Sequence, residues 1–449
     1  MDKKHPRSVS RRDVLRGLLL VGSASIATAC TFVPPESAST TAGEEQPAAP
    51  SAGSDAVGIL IRLNGIDPPG QEFANQFIAD YNTENNVNVA IDYTDWASSF
   101  QKATTGLAGG TSPDIFMGGG LWTPVIASKG GSLELDEFIA TWPDWEDWYE
   151  GARQDVTYQG HIHAVPYRMN ARGNIIYRKS MFEEAGLDPE KPPTNWIEAK
   201  EMAAALTKVV DGKWEQAGWH MVMIPNDLTQ QYEDALYQSG GNYFNEDRTQ
   251  PLNNTAEGKE ALHFWAGFFE DGILPPEGMD SGIPNLNAYS AGLIALFPGW
   301  PQDMLNVKLN APEIWEDTLT APPLMNKERR YQIYVDKYFV YVDSKVPTEA
   351  VALVRALVSD EAGIRLGIEG TWGLPSRKAH ESAPSYSDPR MQVFLSNIQY
   401  GKPRQIVPQH FDVQPAMGRE VEAAVRGTKT VDQALADMDD VVLKILQGG

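Results

Sequence analysis

A single cysteine, Cys30, stands in the 449 residues, so an intrachain disulfide is excluded. Histidine is scarce at 7, and there is no His-Glu-x-x-His pair, Gly-x-Ser-x-Gly elbow or Walker loop. Metalloprotease, serine-hydrolase and nucleotide-hydrolysing chemistry therefore lack their usual machinery. Lysine and arginine (37) fall well short of aspartate and glutamate (60), and no basic stripe interleaves with aromatics, so nucleic-acid binding is not expected. Such acidity favours solubility and names no ligand. The apolar stretch worth examining, Gly17 to Ala29, is too short to span a bilayer comfortably.

That stretch follows a basic segment, Ser10-Arg11-Arg12-Asp13-Val14-Leu15-Arg16, and the two together read as an export signal over residues 1–29. Adjacent arginines resemble a twin-arginine signal, although Val14 stands where an aromatic is often found; general secretory export is the alternative. Ala27, Thr28 and Ala29 lead into Cys30 as small residues lead into a lipobox cysteine, so Cys30 is expected to carry a lipid and to anchor the mature chain outside the cytoplasm. Removing residues 1–29 takes away six basic and two acidic side chains, making a chain of net charge −23 more acidic still. Residues 30–55, rich in Ser, Thr, Ala, Pro, Gly and Glu, have the composition of a flexible tether.

A chain of 449 residues exceeds the roughly 250–300 that one core supports, so at least two lobes are expected. With 42% hydrophobic and 22% charged residues and a mean hydropathy of −0.35, the composition is that of a globular protein. Gly58–Leu63 reads as a strand, the spacing of Phe73, Phe77, Ile78 and Tyr81 as a helix, Val87–Tyr93 as a second strand and Asp114–Met117 as a third. Strands alternating with helices predict an α/β fold with a mainly parallel sheet in each lobe. Asn174–Tyr177 and Tyr331–Val342 read as further strands, and Asn195–Thr207 and Pro347–Val358 as helices.

The candidate catalytic groups are weak. His161 and His163 form a His-x-His pair without a third partner, and pairs such as Asp144 with Glu146 or Glu233 with Asp234 read as surface carboxylates. Gly118-Gly119-Gly120 lacks the Lys-Ser/Thr of a phosphate loop and reads as a place of close backbone approach. Aromatics are plentiful, with 12 Trp and 16 Tyr, and Trp96, Trp122, Trp219, Trp300 and Trp372 sit beside loop breakers. A sugar ring offers an apolar face to flat aromatics and a hydroxyl rim to planar polar groups. Asp67, Asn170 and Arg172 are the candidates for that rim, with Arg168 and Asp114 behind them; core filling is the alternative for each tryptophan.

The segment Gly160–Tyr167, followed by Asn174–Lys179, Phe182–Leu187 and Pro192–Trp196, resembles the extracellular solute-binding proteins of sugar ABC importers, the group containing maltose-binding protein. Ser112–Phe116, Leu135–Phe138, Ala291–Leu296 with Gly299-Trp300, and Gly373-Leu374-Pro375 extend the resemblance in order and spacing. It implies a two-lobe periplasmic-binding-protein fold with a cleft between the lobes. The first lobe would take residues 56–165 and 322–372, and the second residues 166–321 and 373–449. It further implies a monomer that binds a mono- or oligosaccharide, closes on a hinge and docks on a membrane permease, with no cofactor and no catalysis. A secreted carbohydrate-active hydrolase, a surface adhesion lipoprotein or a binder of another polar solute are the rival readings.

Overall fold

The computed structural model describes residues 56–275, 277–279, 282 and 287–448. The expected export signal, lipid-bearing Cys30 and tether lie outside them. Among the described residues no helix is long and apolar enough to cross a membrane.

The described chain opens as β1 (Val57–Asn64), α1 (Pro68–Asn85), β2 (Val87–Thr94), α2 (Trp96–Gly109), β3 (Ile115–Gly118) and α3 (Trp122–Ala127). Local chemistry sets the boundaries. Asp67 caps α1 by accepting the Gly70 N–H at 2.9 Å, with prolines at the first helical positions. Asp95 caps α2 in the same way through Ser98, and Gly110 ends that helix in the left-handed conformation. After the short hairpin β4 (Thr157–Tyr158) and β5 (His161–Ile162) come β6 (Val165–Ala171) and β7 (Asn174–Arg178). Then follow β8 (Lys208–Val210), β9 (Lys213–Trp219), β10 (Ile294–Gly299), β11 (Thr318–Ala321), the long β12 (Tyr331–Val340) and β13 (Gly401–Pro403).

Two sheets result. One has the order β13-β12-β3-β1-β2, with β6 also paired to β12; the other has the order β11-β7-β10-β9-β8. In the first, β1 runs parallel to β2 and β3, and β12 runs antiparallel to β3 and β6. The second departs from the expected parallel arrangement, since only β9 and β10 run parallel. The reason is local for β8 and β9. Asp211 and Gly212 both take left-handed backbone angles, φ 50° and 76°, which is the two-residue turn that closes an antiparallel hairpin.

Each large sheet has a core cluster of its own, and a third cluster, with Ala171, Ile333, Ile176 and Ile294, draws on strands of both. Ile61, Ile115, Val340 and Leu353 anchor the first, while Trp219, Tyr232, Trp265 and Phe268 anchor the second. The chain passes between the sheets at Arg172-Gly173, later than the boundary at 165/166 expected from sequence, because β6 stays paired to β12 as far as Ala171. Gly173 is required there: its φ is 149°, and an added Cβ would lie 2.9 Å from Cβ of Tyr331. The C-terminal region also divides. β13 extends the first sheet, whereas the helix His410–Val425 packs on the helix Pro225–Gln238 beside the second, close enough that Gly418 touches the Pro225 backbone.

Candidate functional site

A cleft of about 410 Å³ opens where α2, α3 and β12 meet β6 and the helix Pro301–Asn310. Trp96 and Trp122 are the first residues of α2 and α3, and the cap and turn before each helix point them to the same side. Trp96 is 42% exposed, a large indole left open to solvent, while Trp122 is buried against Phe100 with ring centroids 5.1 Å apart. The Gly118-Gly119-Gly120 turn lets α3 come this close. A Cβ on Gly120 would meet the Tyr334 backbone at 2.9 Å, so the close approach is to β12.

Opposite these rings stands Trp300, at the end of β10 and the start of the helix Pro301–Asn310. Its N–H donates to Asp303 at 2.8 Å, and its ring lies 5.0 Å from Tyr334. Polar groups line the floor. Arg168 Nε donates to Asp336 Oδ2 at 2.7 Å, both residues being buried, and Arg168 Nη1 has no hydrogen-bond partner among the described residues. Gln302 donates to Asn170 at 2.5 Å, and Phe411 of the helix His410–Val425 stacks on Phe100 at 3.9 Å across the mouth.

Trp300 also walls a second compartment of about 200 Å³ beside Arg172, His220, Asp227 and Asp303. Arg172 is 4% exposed and approaches Asp227 and Asp234 at 3.8 Å, beyond hydrogen-bond reach, which leaves its Nε and Nη2 without partners among the described residues. Burial pushes Asp303 up to about 6 and Asp234 up to about 7, and burial followed by the nearby Arg172 charge pulls His220 down to about 4. Hydroxyl groups, which donate and accept at once, match such a mixture of bare guanidinium and carboxylate.

Of the sequence candidates, Trp96, Trp122, Asn170, Trp300 and Arg168 meet in the cleft, and Arg172 lines the adjoining compartment. The others lie elsewhere. Trp219 is 1% exposed, packed on Trp265 and Phe268, so it is a core residue. Trp372 is likewise buried, edge-on to Trp315 with Lys308 Nζ 4.8 Å from its ring centroid, on a backbone of left-handed φ 52°. Asp67 spends its carboxylate on the α1 cap, and Asp114 accepts from Leu60 N–H and Ser344 Oγ. Sequence reading missed Phe100, Gln302, Tyr334, Asp336 and Phe411. For Tyr334 and Asp336 a signal existed in the two-residue spacing along β12, but either parity of that strand is rich in apolar residues. The His-x-His pair separates: His163 is buried and bonded to Ser132, while His161 sits at the surface with Glu134 and Asp136.

Two large sheets flanked by helices, with an aromatic cleft where they meet, are the arrangement of a two-lobe binding protein. Residues 67–364 match the family described as bacterial extracellular solute-binding protein, and the chain belongs to that family. Membership places it among binding proteins, not enzymes, in a family of extracellular location. A protein of Brucella abortus named as a putative binding protein is 24% identical over 270 residues, covering 59% of this chain and 62% of its own length. The chain therefore matches somewhat under two thirds of that relative. The diacetylchitobiose-binding protein of Streptomyces coelicolor is 23% identical over 202 residues, 44% of each chain. Among solved structures, the sugar-binding protein MalE of Xanthomonas citri has a TM-score of 0.76 at 19% identity, covering 87% of this chain and 98% of its own. A solute-binding protein of Thermotoga lettingae bound with α-D-tagatose has a TM-score of 0.75 at 21% identity, covering 87% and 100%. At these identities the structural likeness is one of fold.

Proposed function

We propose that this protein captures a carbohydrate in the cleft between Trp96, Trp122 and Trp300 and delivers it, by closing on its hinge, to the membrane subunits of an ABC importer. One observation carries the reading: flat indoles from both sides face a floor of polar groups, Arg168, Asp336 and Asn170, of which the first two are buried and Arg168 Nη1 has no hydrogen-bond partner among the described residues. Rings take the apolar faces of a sugar and the planar polar groups take its rim. Relatives named for diacetylchitobiose, mannitol and maltotriose support the ligand class. In this reading the lobes turn about β6, β12 and the segment after β13. The mature chain is a monomer held outside the cytoplasm by lipid on Cys30, supported by the small residues before it.

The test is calorimetric titration of the purified protein with a panel of mono- and oligosaccharides, with scattering at each saturation point and chromatography of the recovered sugar. Binding with compaction and an unchanged sugar is expected. Turnover of a glycan, lost on replacing one cleft carboxylate, would instead establish the hydrolase reading.

A further inference from the structure

The cleft is lined unevenly. Its polar side chains gather where β6 and β12 run side by side, Asn170 opposite Tyr334 and Arg168 opposite Asp336, with Gln302 reaching Asn170 from the helix Pro301–Asn310. Trp300 meets this floor at Tyr334, ring centroids 5.0 Å apart. The mouth is built differently, from Ser99 and Phe100 of α2, Leu121 in the turn before α3, and Phe411 of the helix His410–Val425. Trp96 and Trp122 stand between floor and mouth: a Cβ on Gly119 would lie 3.2 Å from the Trp96 ring, 3.5 Å from Trp122 Nε1 and 3.8 Å from Asp336 Oδ1, and Phe100 meets Trp122 edge-on.

At the mouth a hydroxyl finds no partner. Phe100, Leu121 and Phe411 have no polar side-chain atom, and the Ser99 hydroxyl is buried, already donating to the Trp96 carbonyl at 2.7 Å. A sugar unit set here would stack, yet any hydroxyl it turned inward would trade water for carbon at a net loss. The rings suit a flat apolar group instead. Phe100 and Phe411 stack at 3.9 Å with their planes 28° apart, and Phe100 lies one turn from Trp96 on α2, so the three share one wall. Phe411 remains 38% exposed and Trp96 42%, apolar area inside a cleft that gains by being covered. Aromatic walls hold a further aromatic ring in offset or edge-on contact, which an alkyl chain does not reproduce.

We propose that the mouth is a subsite for an aromatic aglycone, so that the ligand is an aryl glycoside whose sugar lies on the polar floor and whose aryl ring lies against Phe411 and Trp96. This rests on the carbohydrate reading and narrows it. The test is titration calorimetry of the purified protein with methyl and phenyl glycosides in matched pairs, taking both anomers of glucose, galactose, mannose, xylose and N-acetylglucosamine. In at least one pair the phenyl compound should bind about tenfold or more tightly than its methyl partner. That ratio should fall to about threefold or less in Phe411→Ala, and the melting temperature should stay close to the parent value because the side chain is exposed. A ratio within one variant is unmoved by a general loss of folded protein. Phe411→Leu, which keeps an apolar side chain without a flat ring, should lower the ratio as well and serves if the alanine variant fails to fold. Equal affinity within every pair that binds, or the parent ratio kept in the Phe411 variants, would overturn this inference and leave the carbohydrate reading standing. Heat from no glycoside of either kind would overturn both.

Discussion

Trp96 and Trp219 have the same side chain and opposite consequences. Trp96 is 42% exposed at the start of α2, so Trp96→Ala should leave stability near the parent value while weakening carbohydrate binding by about 1–3 kcal/mol, the range of a lost aromatic anchor. Trp219→Ala and Trp372→Ala should do the reverse. Each truncates a buried ring packed on other aromatics and should cost about 3–5 kcal/mol of stability, with affinity in the folded fraction unchanged. Thermal melts and calorimetry on the same three variants separate the cases. A beside-the-breaker position flagged all these tryptophans alike in the sequence. What divides them is what the fold packs around each ring: Trp219 and Trp372 lie against other buried aromatics, whereas Trp96 stays open to solvent.

At the level of elements, the two ends of the cleft depend on how a strand hands over to a helix. Gly120 lies between β3 and α3 with no room for a methyl group, because the Tyr334 backbone is 2.9 Å from where Cβ would be. Gly120→Ala must push α3 away from β12, costing about 1–3 kcal/mol of stability and displacing Trp122; melting and sugar titration should fall together. At the other end Asp303 closes the first turn of the helix Pro301–Asn310 onto the Trp300 N–H. Burial raises its pKa to about 6, above that of the unfolded chain, so the contribution favouring the fold is complete below about 4 and is lost as pH rises through about 6. Asp303→Asn keeps an acceptor and removes the titration. The melting-temperature difference, parent minus variant, should therefore decline between about pH 4 and 6 and stay flat above, and a difference independent of pH would refute that assignment.

Across the whole molecule the bodies of the two sheets are joined by a buried pair. Glu233, on the helix Pro225–Gln238 beside the second sheet, meets Arg404, which follows the first-sheet strand β13; both side chains are 0% exposed. Removing one partner strands a charge in the interior, so Glu233→Leu should cost about 3–5 kcal/mol, whereas Glu233→Leu with Arg404→Met should recover most of that loss. Denaturant melts of the two variants decide it. Near the cleft mouth the joining contact is lighter, a stack of Phe100 on Phe411 at 3.9 Å.

Periodicity, caps and turn residues act over a few residues, so the class of fold is legible without tertiary contacts: the strands at 57–64, 87–94 and 115–118 and the helix at 196–206 fall where local pattern placed them. The sequence also marked Trp96, Trp122 and Trp300, each made conspicuous by an adjacent cap, turn or breaker, and Asn170 as a planar polar group. Only the tertiary structure decided the direction of the second sheet's strands and the point at which the chain passes between sheets. It alone assembled Phe100, Tyr334, Asp336 and Phe411 around those tryptophans. These four lie up to hundreds of positions apart inside regular strands and helices. Nothing local distinguishes a cleft-facing side chain from a core-facing one until the opposing element is in place, and that is a property of packing, not of neighbouring residues.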